Sequence, residues 1–259
     1  MNTRQAALFI SHGAPTLPIE DSPTRHFLAQ LGQDWPRPRA IVIVSAHWEA
    51  QAFTVNRQPR PGTLYDFGGF PPLLRTLRYP AATDAALAAE AETLLRGAGL
   101  RTESTHERPL DHGIWTPLLL MYPQSDIPLV TVSLRHRASA AEHYALGRAL
   151  RPLRDDNVLL IGSGSYTHNL RELRQDGSSV APWAAEFTGW MDQALLERRD
   201  DDIIHWLERA PQARQNHPSD EHFNPLLVAL GAASDGAPPL KLHDDWRMGA
   251  LSMACWRFD

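Results

Sequence analysis

Hydrophobic positions in this chain fall into short unbroken runs separated by longer periodic stretches. Ala6-Ala7-Leu8-Phe9-Ile10 and Ala40-Ile41-Val42-Ile43-Val44 are apolar throughout, and the second is β-branched from Ile41 onward. Continuous hydrophobicity of this length predicts strands covered on both faces, as in parallel sheets. Residues 127–134 and 157–161 read the same way, and Leu251-Ser252-Met253-Ala254-Cys255-Trp256 predicts a closing strand. Between the runs the period becomes helical. Leu87, Ala91, Leu94 and Leu95 recur at helical spacing over 83–95, with Thr83 placed to cap and Gly97 to stop. Trp183, Phe187, Trp190, Met191, Ala194 and Leu195 do so after Pro182, a residue suited to a first helical turn, and their stripe reads as core. The alternation predicts one α/β domain over residues 1–259, with a central, largely parallel (mixed) sheet flanked by helices. Residues 58–72, with three glycines and four prolines, predict a long irregular loop of the kind that rims a site.

Composition narrows the partners. At 259 residues, 43% hydrophobic and 21% charged, the chain can bury a sizeable core, which excludes collagen-like and disordered readings. Twenty-five basic against 30 acidic residues give a net charge of −5 with no cationic stretch, so nucleic acid is not an expected partner. The apolar run beginning at Ala6 is too short for an export signal or a membrane span. A single cysteine, Cys255, makes no internal disulfide or CxxC zinc clip and fits a reducing cytoplasm; inside an apolar run it reads as a buried hydrophobe.

Twelve histidines accompany that one cysteine and one lysine, so their placement carries the chemistry. His12 follows the first run in Ser11-His12-Gly13-Ala14-Pro15, and His47 follows the second in Ser45-Ala46-His47-Trp48. Open α/β sheets gather ligands in the crevice beyond the carboxyl ends of their strands. His168 comes shortly after 157–161, across Gly162-Ser163-Gly164-Ser165, so three histidines distant in sequence are expected on one rim. In His217-Pro218-Ser219-Asp220-Glu221-His222-Phe223 a helix is predicted to begin after Pro218, with His222 or Glu221 facing the same crevice. Two imidazoles ending apolar strands are buried polar groups that require partners, and a shared metal supplies one. His26, His106, His136, His143, His205 and His243 read as solvated or hydrogen-bonded loop side chains, while His112 divides evenly between loop capping and the site. Gly162-Ser163-Gly164-Ser165 lacks the third glycine of a dinucleotide fingerprint and the spacing of a nucleophile elbow.

Five segments together resemble one family: Ser11 to Pro15, Ser45 to Trp48, Leu110-Asp111-His112-Gly113, Gly162 to Arg171, and His217 to Leu226. In order and separation they resemble the class III extradiol ring-cleavage dioxygenases of the LigB type, most closely the 4,5-DOPA extradiol dioxygenase-like branch. The resemblance implies that His12, His47 and His222 hold a metal. It implies that His168 is the acid/base residue or a fourth ligand, and that His112 lines the substrate pocket. Better-known members complete the site with a glutamate, so Glu221 stands beside His222 as an alternative. Iron(II) is the implied cofactor for ring cleavage, and zinc is also found in this branch.

The chemistry fits these residue types independently. Three protein ligands leave up to three positions open on a six-coordinate metal, as iron(II) oxygenases need for a substrate and O₂ together. A catechol would bind through both oxygens and lose protons as the metal lowers their pKa. A neutral imidazole is suited to take the second phenolic proton, a role assigned to His168 and typically worth about 10²–10⁴-fold. Tyr65 and Phe67 in the 58–72 loop suit a planar ring and are assigned to substrate binding. Two other readings stay open. One is a zinc hydrolase on the same scaffold, with His168 as base, and the other is a non-enzymatic metal-binding relative, against which four intact histidines count.

Overall fold

The unbroken apolar runs form the middle of an eight-stranded sheet. A computed structural model describes residues 4–259, so the first three residues of the expected domain lie outside it. In chain order the elements are β1 (Ala7–Ser11), α1 (Pro23–Asp34), β2 (Ala40–Ala50), β3 (Phe53–Asn56), α2 (Ala85–Gly97), β4 (Thr102–Thr105), α3 (His112–Met121), β5 (Leu129–Arg135), α4 (Ala140–Leu150) and β6 (Val158–Gly164). There follow α5 (Pro182–Leu196), α6 (Asp200–Ile204), α7 (Trp206–Arg209), α8 (Ala213–Asn216), α9 (Asn224–Gly231), β7 (Leu240–His243), β8 (Trp246–Arg247), β9 (Leu251–Ser252) and β10 (Cys255–Phe258).

The sheet order is β4-β3-β5-β2-β6-β1-β10-β7, while β8 and β9 pair separately. Neighbours from β5 to β1 run parallel, and β10 and β7 add antiparallel strands at one side. This is the single α/β domain with a mostly parallel mixed sheet that the alternating pattern predicts. Alternate residues of each central strand serve opposite faces. Leu8, Ile10, Ile41 and Ile43 pack with α1 and α3, and Ala7, Phe9, Val42 and Val44 pack with α2, α4, α5 and α9. No described helix is long and apolar enough to cross a membrane.

Local chemistry moves several boundaries. Asp84, not Thr83, caps α2, because the carboxylate accepts from the Leu87 amide at 3.0 Å while the Thr83 hydroxyl donates to the Gln58 carbonyl at 2.6 Å. The helix continues through Gly97, and Gly99, at φ +75°, turns the chain away. The expected closing strand divides into β9 and β10, which belong to different sheets. The helix expected directly after Pro218 begins six residues later. Residues 218–220 bend and 221–223 turn, and α9 starts at Asn224 with Pro225 in its first turn, where a missing amide costs nothing.

His143 is another correction. It is buried on α4, its ring edge-on to Phe53 at 5.7 Å, because a helix facing the sheet carries it inward. Burial pushes its pKa down to about 4. The unfolded chain therefore binds the extra proton between about pH 6.5 and 4, so this contribution to stability is complete above that window and is lost as pH falls through it. Full protonation is worth on the order of 3 kcal/mol. His143→Leu is expected to reduce the drop in urea midpoint between pH 7 and 5, and an unchanged drop would refute this role.

Candidate metal centre and active site

The ends of β1 and β6, a bulge within β2 and one turn build the site. His12 follows β1 directly, as expected, whereas His47 lies inside β2. β2 advances from Val44 to Glu49 while β5 advances only from Val132 to Leu134, and pairing with β6 stops at Ser45. His47 thus occupies a bulge, which re-aims its side chain off the regular sheet face. β6 runs between β1 and β2 and supplies Ser163, whose hydroxyl lies 3.0 Å from Nδ1 of His12.

The glycines around β6 are explained by close approach. A Cβ on Gly162 would meet the Pro225 carbonyl oxygen at 2.0 Å, and one on Gly164 would meet that of His222 at 2.3 Å. The bend lets the turn before α9 press onto the strand, where the Ser165 amide donates to the His222 carbonyl at 2.9 Å. Gly113 likewise leaves room for Ser45 and His47.

The three rings meet at one point. Nε2 of His47 lies 3.0 Å from Nε2 of His12 and 3.3 Å from Nε2 of His222. Their tautomers follow from what holds the other nitrogen. The Ser163 hydroxyl donates to the Gly113 carbonyl, so it accepts from Nδ1–H of His12 at 3.0 Å. Nδ1–H of His222 donates to Glu221 Oε1 at 3.0 Å, and Nδ1 of His47 faces Asp66 Oδ2 at 3.7 Å. Each Nε2 then presents a lone pair to its neighbours, an arrangement that is repulsive without a cation among them. Imidazole–metal bonds of about 2.0–2.1 Å place neighbouring ligand nitrogens about 2.9–3.4 Å apart at right or tetrahedral angles. The observed spacings fall in that interval, so the donor set fits a metal ion held by His12, His47 and His222.

Electrostatics agree. His12 and His222 are buried, and burial, followed by neighbouring histidines, pushes both well below the usual histidine range. Burial and then His112 lower His47 to about 3, against the opposing pull of Asp66. All three are neutral donors at pH 7, the form that binds metals.

His168 and His112 flank this triad. The His168 ring stacks on His222 with centroids 3.4 Å apart and planes 8° apart, and burial lowers its pKa to about 4. Neither of its ring nitrogens hydrogen-bonds another described residue. His112 opens α3 with its ring 3.9 Å from that of His47, and its Nδ1–H donates to Asp66 Oδ1 at 2.9 Å. All five imidazoles line one cavity of about 360 Å³ whose walls are otherwise mainly apolar, Phe67 and Phe70 among them. Tyr65 does not line it. Its hydroxyl donates to the Leu77 carbonyl at 2.7 Å, and its ring supports Phe67 edge-on at 6.1 Å. Glu221 stands behind His222, accepting also from Ser219, and is not part of the point where the three Nε2 atoms meet.

Similarity decides the family. A model of the catalytic LigB subunit of aromatic ring-opening dioxygenase matches residues 6–253. The chain belongs to the LigB family. It is 40% identical over 254 residues to the 4,5-DOPA dioxygenase extradiol of Beta vulgaris, covering 96% of this chain and 95% of that protein. A protein of the same name from Escherichia coli strain K12 is 38% identical over 257 residues, covering 97% and 94%. Among solved structures, an uncharacterised protein from Escherichia coli K12 superposes with a TM-score of 0.82 at 34% identity, over 99% of this chain and 100% of the other. As a LigB-family member the protein is a metal-dependent, aromatic ring-opening dioxygenase.

The sequence marked Asp111 as a possible base and Asp66 as one of the loop residues shaping the pocket, but not their supporting roles in this LigB-family site. Asp111 does not cap α3 with its side chain. It is fully buried, accepts from Ser45 Oγ at 2.6 Å and pairs with Arg108 at 3.2 Å, while Arg108 also donates to the His47 carbonyl at 2.8 Å. Burial raises the Asp111 pKa, and these partners oppose the rise. Asp66 was legible only as part of a loop, yet it is the sole carboxylate between Glu49 and Asp84, a signal that marks it in retrospect. Burial alone would raise it, but the hydrogen bond and charge of His112, with His47, leave it below the usual carboxylate range. Asp66→Asn is expected to weaken metal binding about 10–100-fold, as loss of a ligand's orienting partner does, read by titration against a chelator. Unchanged affinity would mean that Asp66 does not orient His47.

Proposed function

We propose that this LigB-family enzyme opens the ring of a DOPA-like catechol with O₂ in an extradiol sense, using iron(II) held by His12, His47 and His222. The observation that carries the reading is the meeting of three Nε2 lone pairs on the wall of an aromatic-lined cavity. Iron(II), when bound, supplies open positions for both diol oxygens and O₂ together with the redox capacity that zinc lacks.

The remaining roles belong to the chain. Ser163 and Glu221 hold the Nδ1 sides of His12 and His222 by hydrogen bonds, and Asp66 faces that of His47 at 3.7 Å, so each Nε2 is directed at its neighbours. His168 accepts the second phenolic proton on a free ring nitrogen, and its low pKa keeps it neutral and available at pH 7. His112, pinned by Asp66, sits beside the ligands and orients the diol from the opposite flank. Phe67 and Phe70 flank the planar ring, and the apolar walls exclude water. Tyr65 acts through Phe67, which alters its assignment from binding residue to support. A cytoplasmic location accords with a lone cysteine whose thiol is buried and pushed up to about 12.

The test loads the apoprotein with iron(II) and ascorbate, or with zinc, and follows O₂ uptake with a panel of catechols. Uptake equal to the catechol consumed, with iron only, is expected. Equal activity with both ions, or hydrolysis of esters under zinc without O₂ uptake, overturns the proposal in favour of a hydrolase.

A further inference from the structure

Two sets of polar groups line the cavity. One is the cluster of imidazoles with Ser165, whose hydroxyl is already committed to the Thr167 carbonyl. The other is Thr16, Glu20 and Arg247, and among the described residues lining the cavity Glu20 and Arg247 are the only carboxylate and guanidinium. The rest of the wall is mainly apolar, with side chains such as Leu170, Leu173 and Met253. A cavity that offers imidazoles, apolar walls and one carboxylate–guanidinium pair matches a ligand that joins a metal-binding group to a charged one through an apolar body.

The charged pair has unused capacity. Arg247 donates from Nη1 to Glu20 Oε2 at 2.7 Å, and from Nε and Nη2 to the two Asp176 oxygens at 3.3 and 3.1 Å. A guanidinium carries five N–H groups, so one remains on each Nη. Glu20 also accepts from the Thr16 hydroxyl, and each of its oxygens retains a lone pair. One guanidinium beside two carboxylates leaves a formal excess of negative charge that favours an ammonium at the Glu20 oxygens, while a carboxylate carried by the same ligand takes the unused N–H groups of Arg247. Both side chains are only partly exposed, at 22% and 28%, so an ion paired there is less screened than one in open water.

We infer that Glu20 and Arg247 form a head-group subsite, taking the α-ammonium and α-carboxylate of a catechol amino acid whose ring lies at the histidines. This rests on the ring-opening reading above and adds the residues that select the substrate's head group. The same ion pairs also tie β8 to the turn around Asp176, so the test must separate recognition from scaffolding.

Iron-loaded wild type, Arg247→Gln and Glu20→Gln are compared on L-DOPA and on 4-methylcatechol, which has the same diol and no head group. Asp176→Asn serves as the scaffolding control, since Asp176 holds Arg247 without lining the cavity. Each cavity variant is expected to lower kcat/KM for L-DOPA about 10–100-fold, chiefly through KM, while 4-methylcatechol changes by less than about threefold. Parallel loss on both substrates, or no loss on L-DOPA with either variant, overturns the subsite while leaving the ring-opening reading intact. A wild type that opens neither catechol overturns the ring-opening reading, and the subsite falls with it.

Discussion

His47→Ala is expected to leave less than about one tenth of the stoichiometric metal after purification, and no measurable ring opening. Its Nε2 is the shared vertex of the triad, at 3.0 Å from His12 and 3.3 Å from His222. Two donors then remain, set on either side of a gap. The same substitution removes the opposition of lone pairs in the metal-free protein, so its own stability should not fall through this contact. Added metal stabilises a folded protein by about 2.7 kcal/mol at a hundredfold excess over Kd. The melting temperature of the wild type should therefore rise on adding iron(II) or zinc, whereas that of His47→Ala should stay where it is. Elemental analysis gives a second, independent measurement. Stoichiometric metal in the variant would sink the ligand assignment.

His168→Gln should behave in the opposite way, retaining the metal and losing about 10²–10⁴-fold in kcat. The His168 ring stacks face to face on His222, so it is a neighbour of the triad and not one of its three meeting nitrogens. Glutamine keeps a polar group and part of the volume but offers no basic nitrogen at pH 7. The proton from the second phenol then has no acceptor on that face, while binding through the metal is unaffected, so kcat falls more than KM changes. If His168→Gln loses metal as completely as His47→Ala does, His168 is a fourth ligand and its acid/base role fails. The two variants measured side by side thus separate holding the ion from moving the proton.

Much of the architecture was legible in one dimension. Unbroken apolar runs such as 40–44 are affordable only where both sheet faces are covered, so the parallel centre and its flanking helices follow from composition along the strand. Boundaries were less so, because caps depend on which of two adjacent polar residues finds a partner: Thr83 was taken by the loop at Gln58, and Asp84 was left to close α2. The position of His12 at a strand end was readable, and that of His47 was not, since a bulge is a mismatch between two strands and neither strand alone records it.

By itself, then, the chain determined the α/β layering, the buried strands and the identity of the histidines available to bind metal. Those depend on periodicity and on residue type, both of which are local properties. Only the tertiary structure decided which nitrogens meet, which tautomer each ring holds, and that Asp66, Ser163 and Glu221 stand behind them. It also brought Glu20 and Arg247, more than two hundred residues apart, to one wall of the same cavity. Such pairings are set by strand order and by contacts across the sheet, and a pattern read along one strand carries no information about its neighbour.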